Sequence, residues 1–145
     1  MMAYFYTALL LMVLGGAWLL LGWLSSVLGG WSKLASRYRT TQPFNGKVFL
    51  TRSAMMGITR YSSCLTMGVN HEGLFLNVSI WMRLSHPPLF IPWTDMLGKI
   101  QESWLTKVLL VTFKFIPKVS MELPMNTVIE LKQAAKSSNA FPEVR

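Results

Sequence analysis

Charge is missing from the first part of this chain. From Met1 through Ser32 there is no Asp, Glu, Lys or Arg, so all 14 basic and all six acidic residues lie between Lys33 and Arg145. Overall charge content is 14%, well below the roughly 25% of an ordinary soluble domain. The shortage is local rather than general. Cysteine is nearly absent too: Cys64 stands alone, so an internal disulfide is excluded. Histidine occurs only as His71 and His86, and neither lies at metal-ligand spacing from Cys64, so the sequence offers no metal site. There is no Gly-x-Ser-x-Gly elbow, no phosphate-binding Gly-rich loop and no close pair of carboxylates. Recognisable hydrolase, nucleotide and acid–base chemistries are therefore not written here, and no cofactor is implied.

What is present divides the chain into an apolar segment, residues 1–32, and a basic part of the chain that carries the whole net charge of +8. The stretch from Tyr4 to Leu28 exceeds the roughly 20 apolar residues needed to cross a bilayer. A charged residue at its centre would cost about 2.5–3.5 kcal/mol, which accounts for the exclusion. Tyr4, Phe5 and Tyr6 at one end and Trp31 at the other stand where interfacial aromatics belong. A cleaved signal peptide would need a basic start and a shorter apolar run, so a retained transmembrane anchor is the reading taken. Lys33, Arg37 and Arg39 follow the anchor directly. The positive-inside rule then places the domain in the cytoplasm and the N-terminus outside, where the Asn77-Val78-Ser79 sequon goes unused. The same three residues are the expected contacts with anionic headgroups at the membrane surface. Gly22, Ser26 and Gly30 recur every four residues, the spacing of a small-residue helix-packing face, although such residues are also common in spanning helices.

Residues 33–46 read as a juxtamembrane linker, with Pro43 and the Asn45-Gly46 turn signal, though the part through Arg39 can continue the helix. From Lys47 the apolar period becomes two. Leu65, Met67 and Val69 alternate before the turn Asn70–Gly73; Leu74, Leu76, Val78, Ile80 and Met82 then share one face, opposite Phe75, Asn77, Ser79, Trp81 and Arg83. Shorter candidates are residues 48–53, 89–93 and 100–104, followed by 108–116 and 119–123. About seven short strands predict a small sandwich or barrel. Thr127 and Glu130 have capping-box spacing and precede an apolar stripe of Val128, Leu131 and Ala135, with Lys132 and Lys136 toward the end of the helix. The expected architecture is one N-terminal transmembrane helix plus a mainly β (α+β), partly open barrel of about seven strands, residues 47–137, closed by a C-terminal helix. Residues 138–145 read as a tail. Phe75 and Trp81, on the face away from the apolar row, form a candidate partner patch. The basic residues come singly, without the runs that mark nucleic-acid binding.

One stretch carries a resemblance. Gly73, Leu74 and Leu76, then Ile91, Pro92, Trp93, Asp95 and Met96, resemble the bacterial pleckstrin-homology-like (PH-like) and GRAM-like domains. These have a Gly-Leu that opens a strand, a variable hairpin and an apolar-Ile-Pro-aromatic strand. The chain is also similar to small bacterial membrane proteins with a His-Pro-Pro-Leu string after one N-terminal helix. The resemblance implies a PH/GRAM-like β domain in a single-pass protein. It does not extend to phosphoinositide binding, because no Lys-x-n-Arg signature occurs and the closing helix lacks tryptophan. The functional expectation is a membrane-anchored, non-enzymatic interaction or scaffold module at the cytoplasmic membrane surface, with a protein partner. The alternatives are an envelope or lipid-related enzyme with an unrecognised site and an accessory subunit of a larger membrane complex. Cys64, His71 and His86 have no readable role, and His86 is expected in a loop. In "HPPLFIPW", residues 86–93, the prolines enforce an extended entry, and Pro92 marks an edge strand or bulge, guarded or used by a partner.

Overall fold

A computed structural model describes residues 1–135. The apolar segment forms one helix, α1 (Met2–Gly29), long and apolar enough to cross a membrane. Gly30 ends it in the left-handed conformation, with φ of 85°, and at the same time begins a second helix, α2 (Trp31–Tyr38). A residue with a Cβ is strained there, and a Cβ on Gly30 would stand 2.6 Å from Val119 Cγ2.

Seven antiparallel strands follow: β1 (Lys47–Met56), β2 (Thr59–Val69), β3 (Gly73–Val78), β4 (Leu89–Pro92), β5 (Met96–Glu102), β6 (Lys107–Phe113) and β7 (Ile116–Pro124). They make one open sheet in the order β4-β3-β2-β1-β7-β6-β5, and a closing helix, α3 (Met125–Ala135), comes last. The joint between β1 and β7 is short, with pairs only at Met55–Glu122 and Met56–Met121. On either side of it, Met67, Leu76 and Ile91 from one half and Val111, Phe113 and Met121 from the other belong to a single buried cluster. The sheet therefore curls at this joint so that both halves face one core. Irregular pairing in β1 and the positive φ of Thr51 and Ser63 (54° and 53°) bend the β1–β2 ribbon in the same region. α3 contributes Val128, Leu131 and Ala135 to the core, as their spacing predicts.

Several local expectations are corrected. β3 ends at Val78, not Arg83: Ser79 N–H donates to Cys64 O, and Ile80–Met82 turns into a single 3-10 turn. Ile80 is thus exposed rather than a neighbour of Leu76 in the core. β5 begins at Met96 rather than Ile100, and β7 includes Pro117-Lys118, where its pairing with β6 is irregular instead of broken. The capping box does not form. α3 starts at Met125, Thr127 is buried inside it, and Glu130 pairs with Arg52 on β1 instead. Lys136 and the tail 138–145 lie outside the described residues.

The helix that the sequence allows through Arg39 forms over residues 31–38, but it belongs to the core of the domain. Trp31, Leu34 and Tyr38 are buried, one helical turn apart, and Trp31 is fully enclosed rather than interfacial. Past α2 the chain stays on the domain: Arg39 pairs with Leu89, and Thr40 N–H donates to Pro88 O at 2.9 Å. The edge of β4 is therefore covered by the protein's own chain.

Candidate functional site

Polar and close contacts gather where α1 meets the domain. Small residues let α1 approach. A Cβ on Gly22 would lie 3.0 Å from Ser85 Oγ, and one on Gly29 would lie 2.8 Å from Thr59 Oγ1. Ser26, Gly29 and Gly30 are buried, and Thr59 donates a side-chain hydrogen bond to Ser25 O at 3.2 Å. Gly22, Ser26 and Gly30 thus sit on the side of α1 that meets its own β domain.

The segment between β3 and β4, residues 79–88, is fastened at its end by a buried polar chain. Trp31 Nε1 donates to Pro87 O at 2.9 Å, and its ring lies 5.3 Å from His86 and 5.6 Å from Tyr61. His86 is fully enclosed, with Nε2 2.9 Å from the Tyr61 hydroxyl and Nδ1 3.0 Å from Ser85 Oγ. All groups are satisfied if Tyr61 donates to Nε2 and Nδ1–H donates to Ser85, whose hydroxyl then donates to Met82 O at 3.4 Å. Burial holds the His86 pKa below its ordinary value, with a weaker opposing pull from the Met82 backbone, and burial pushes the Tyr61 hydroxyl upward. A neutral imidazole clamped on both nitrogens joins the loop, β2 and α2. His86 thus lies in a loop, as expected, but the loop is folded over it and Trp31 roofs it.

Above this latch the loop and α1 enclose a groove of about 340 Å³, walled by Trp18, Leu19 and Gly22 on one side and Trp81, Leu84 and Ser85 on the other. Its lining is mostly apolar, and Ser25 and Ser85 supply hydroxyls. Ile80, Trp81 and Leu84 turn outward, 67%, 77% and 84% exposed. That is unusual for three large apolar residues within five positions.

The expected partner patch is divided. Phe75 is half-buried on β3, stacked 4.8 Å from Phe44, whereas Trp81 belongs to the loop beside α1. Phe44, Phe75 and Phe90 instead help line a separate cleft of about 310 Å³ with Asn70 and Glu72. Lys33 and Arg37 project from the outer face of α2, Arg37 with its guanidinium 3.8 Å over the Phe115 ring, and Arg39 is exposed just beyond. Cys64 is half-buried, its thiol pKa raised by burial. His71 is exposed, 3.7 Å from Glu72. Among the described residues no three His, Cys, Asp or Glu side chains gather as a metal site would require. Sequence reasoning missed Trp31, Tyr61 and Ser85. The spacing Trp31, Leu34, Tyr38 was the readable signal of an amphipathic helix. Compared with protein-family models, curated proteins and solved structures, the chain matches none.

Proposed function

We propose that this protein is a membrane-anchored, non-enzymatic interaction module, with α1 as a retained span and a PH/GRAM-like β domain held in one pose at the cytoplasmic membrane surface. The observation that carries this is the continuity of anchor and core. Two residues after α1 ends, Trp31 is fully buried in the domain. There is no swinging tether, so the domain presents a fixed face to lipid and another to the cell interior. Lys33, Arg37 and Arg39 lie just beyond the span, where anionic headgroups would attract them.

A protein partner has a suitable place at the edge strand β5, which pairs only with β6 among the described residues. Leu97 on it, and Trp104 and Leu105 on the turn that follows, are 53%, 90% and 70% exposed. A strand edge flanked by exposed apolar side chains suits a strand-adding partner, whether a client or the larger complex of an accessory subunit. A photo-cross-linker placed at Trp104 in native membranes should give one discrete protein adduct, and the same probe at exposed Arg60 should not. No adduct from any β5-edge position would overturn the interaction reading.

One observation favours a second reading, a lipid-related enzyme: Ser85 Oγ lines the groove and stands beside His86. A fluorophosphonate probe that labels wild type but not Ser85→Ala would establish it. The enclosure of His86 and its engagement by Tyr61 support the latch instead.

A further inference from the structure

We infer that the loop 79–86 is a second membrane element, which inserts into the acyl-chain boundary beside α1. This rests on the reading of α1 as a span and adds a lipid-binding surface to it. The depth follows from length. α1 covers residues 2–29, and a span takes about 20 residues. Wherever such a window is placed within 2–29, it includes residues 10–21. Trp18, which lines the groove opposite Trp81 and Leu84, therefore lies in hydrocarbon for every placement, even for the shortest spans of about 17 residues, and Leu19 and Leu21 do so for a span of about 20. A loop packed against them cannot stay in water.

The chemistry of the loop agrees. Ile80, Trp81 and Leu84 turn outward, so the surface of α1 continues onto them as one apolar face. Non-helical backbone tolerates lipid depth only when its polar groups are bonded within the protein. Here five of the loop's eight amides, those of Ser79, Met82, Arg83, Ser85 and His86, donate to carbonyls of the chain, so most of the loop's N–H groups are bonded within the protein. Trp81 suits the interface, where indoles concentrate, and the exposed Arg83 has a stem long enough to place its guanidinium among headgroups. The His86–Tyr61–Trp31 latch holds the base of the loop, so insertion requires no refolding.

The full chain carrying Cys64→Ala provides a single-cysteine background for an environment-sensitive fluorophore. The probe positions are Trp81→Cys and Leu84→Cys, with Leu20→Cys on α1 and Trp104→Cys on the β5–β6 turn for reference. All four native side chains are exposed, so the core is left intact. In vesicles of phosphatidylcholine and phosphatidylglycerol doped with a nitroxide lipid, labels at 20, 81 and 84 should emit as in an apolar medium and be quenched, and the label at 104 should not. Quenching at 20 with water-like emission at 81 and 84 would overturn the loop inference and leave the anchor standing. Dry but unquenched labels at 81 and 84 would mean that protein covers the loop, which also overturns it. An unquenched label at 20 would remove the span itself and the inference with it.

Discussion

His86 is the residue on which the α1-side loop depends, and its burial gives it a pH signature. Its folded pKa is lowered from 6.5 by desolvation, so the unfolded chain takes up a proton first as pH falls. The stability it supports is complete above about pH 6.5 and declines as pH drops from there through the lowered folded value. Thermal unfolding of the full chain in detergent, compared between pH 7.5 and 5, should show a larger loss for wild type than for His86→Gln. Equal losses would mean that the ring is already charged in the folded protein. Tyr61→Phe tests the other end of the chain. It leaves Nε2 buried without its 2.9 Å partner, at a cost of about 1–3 kcal/mol. At roughly 4–8 °C per kcal/mol for a domain near this size, the melting temperature should fall measurably. Neither effect was readable in the sequence. His86 and Tyr61 are 25 positions apart, and only the return of β4 beside α2 brings the histidine over β2.

Among the elements, α2 departs most from what its sequence suggests, because eight residues with Lys, Arg and two serines read as polar. Its apolar residues fall on one stripe, and that stripe is core. Trp31→Ala should destabilise the β domain by about 3–5 kcal/mol, a large share of a usual total of about 5–15 kcal/mol. Trp23→Ala, on the exposed side of α1, should leave the domain unchanged. Denaturant unfolding of both variants checks this, and equal stability would mean that α2 is not part of the core. The junction before it is equally constrained. Gly30→Ala adds a strained left-handed residue, at about 1–2 kcal/mol, and a clash with Val119. Val119→Ala in the same chain should relieve the clash with its two methyl groups but not the backbone cost, and it adds the cost of truncating a core valine. In β3, the alternation of Leu74, Leu76 and Val78 was legible and the strand is there, but the same rhythm continued through Ile80 and Met82, where the strand is not. Alternation records apolar character, and an apolar side chain is satisfied by a protein core or by a bilayer.

At the scale of the molecule, charge and shape act together. The net charge of +8 lies wholly on one side of α1, and Lys33, Arg37 and Arg39 stand at the boundary. The positive-inside rule predicts that a C-terminal reporter is active in the cytoplasm. Placing lysines at Tyr4 and Tyr6 should convert part of the population to the opposite topology. A wild-type reporter active only outside would overturn the orientation. Because α1, α2 and the sheet share contacts instead of a linker, turning the helix over would turn the whole domain with it. The stretch "HPPLFIPW" gains a partner at this scale too: the start of the edge that its prolines mark is occupied by Arg39 and Thr40 of the same chain, and among the described residues the other edge of the sheet is β5.

By itself the sequence determined the uncharged helix, the one-sided charge, the antiparallel strand pattern and the closing helix. Each of these is a local or compositional property, set by periodicity and by the cost of charge in an apolar medium. Tertiary structure alone decided that Trp31 is core and not interface, that His86 is enclosed, and that Trp81 and Leu84 lie beside α1. Those outcomes depend on contacts such as Trp31 with Pro87, 56 positions apart. Hydrophobicity drives a side chain out of water without naming the apolar phase that receives it. Packing makes that choice.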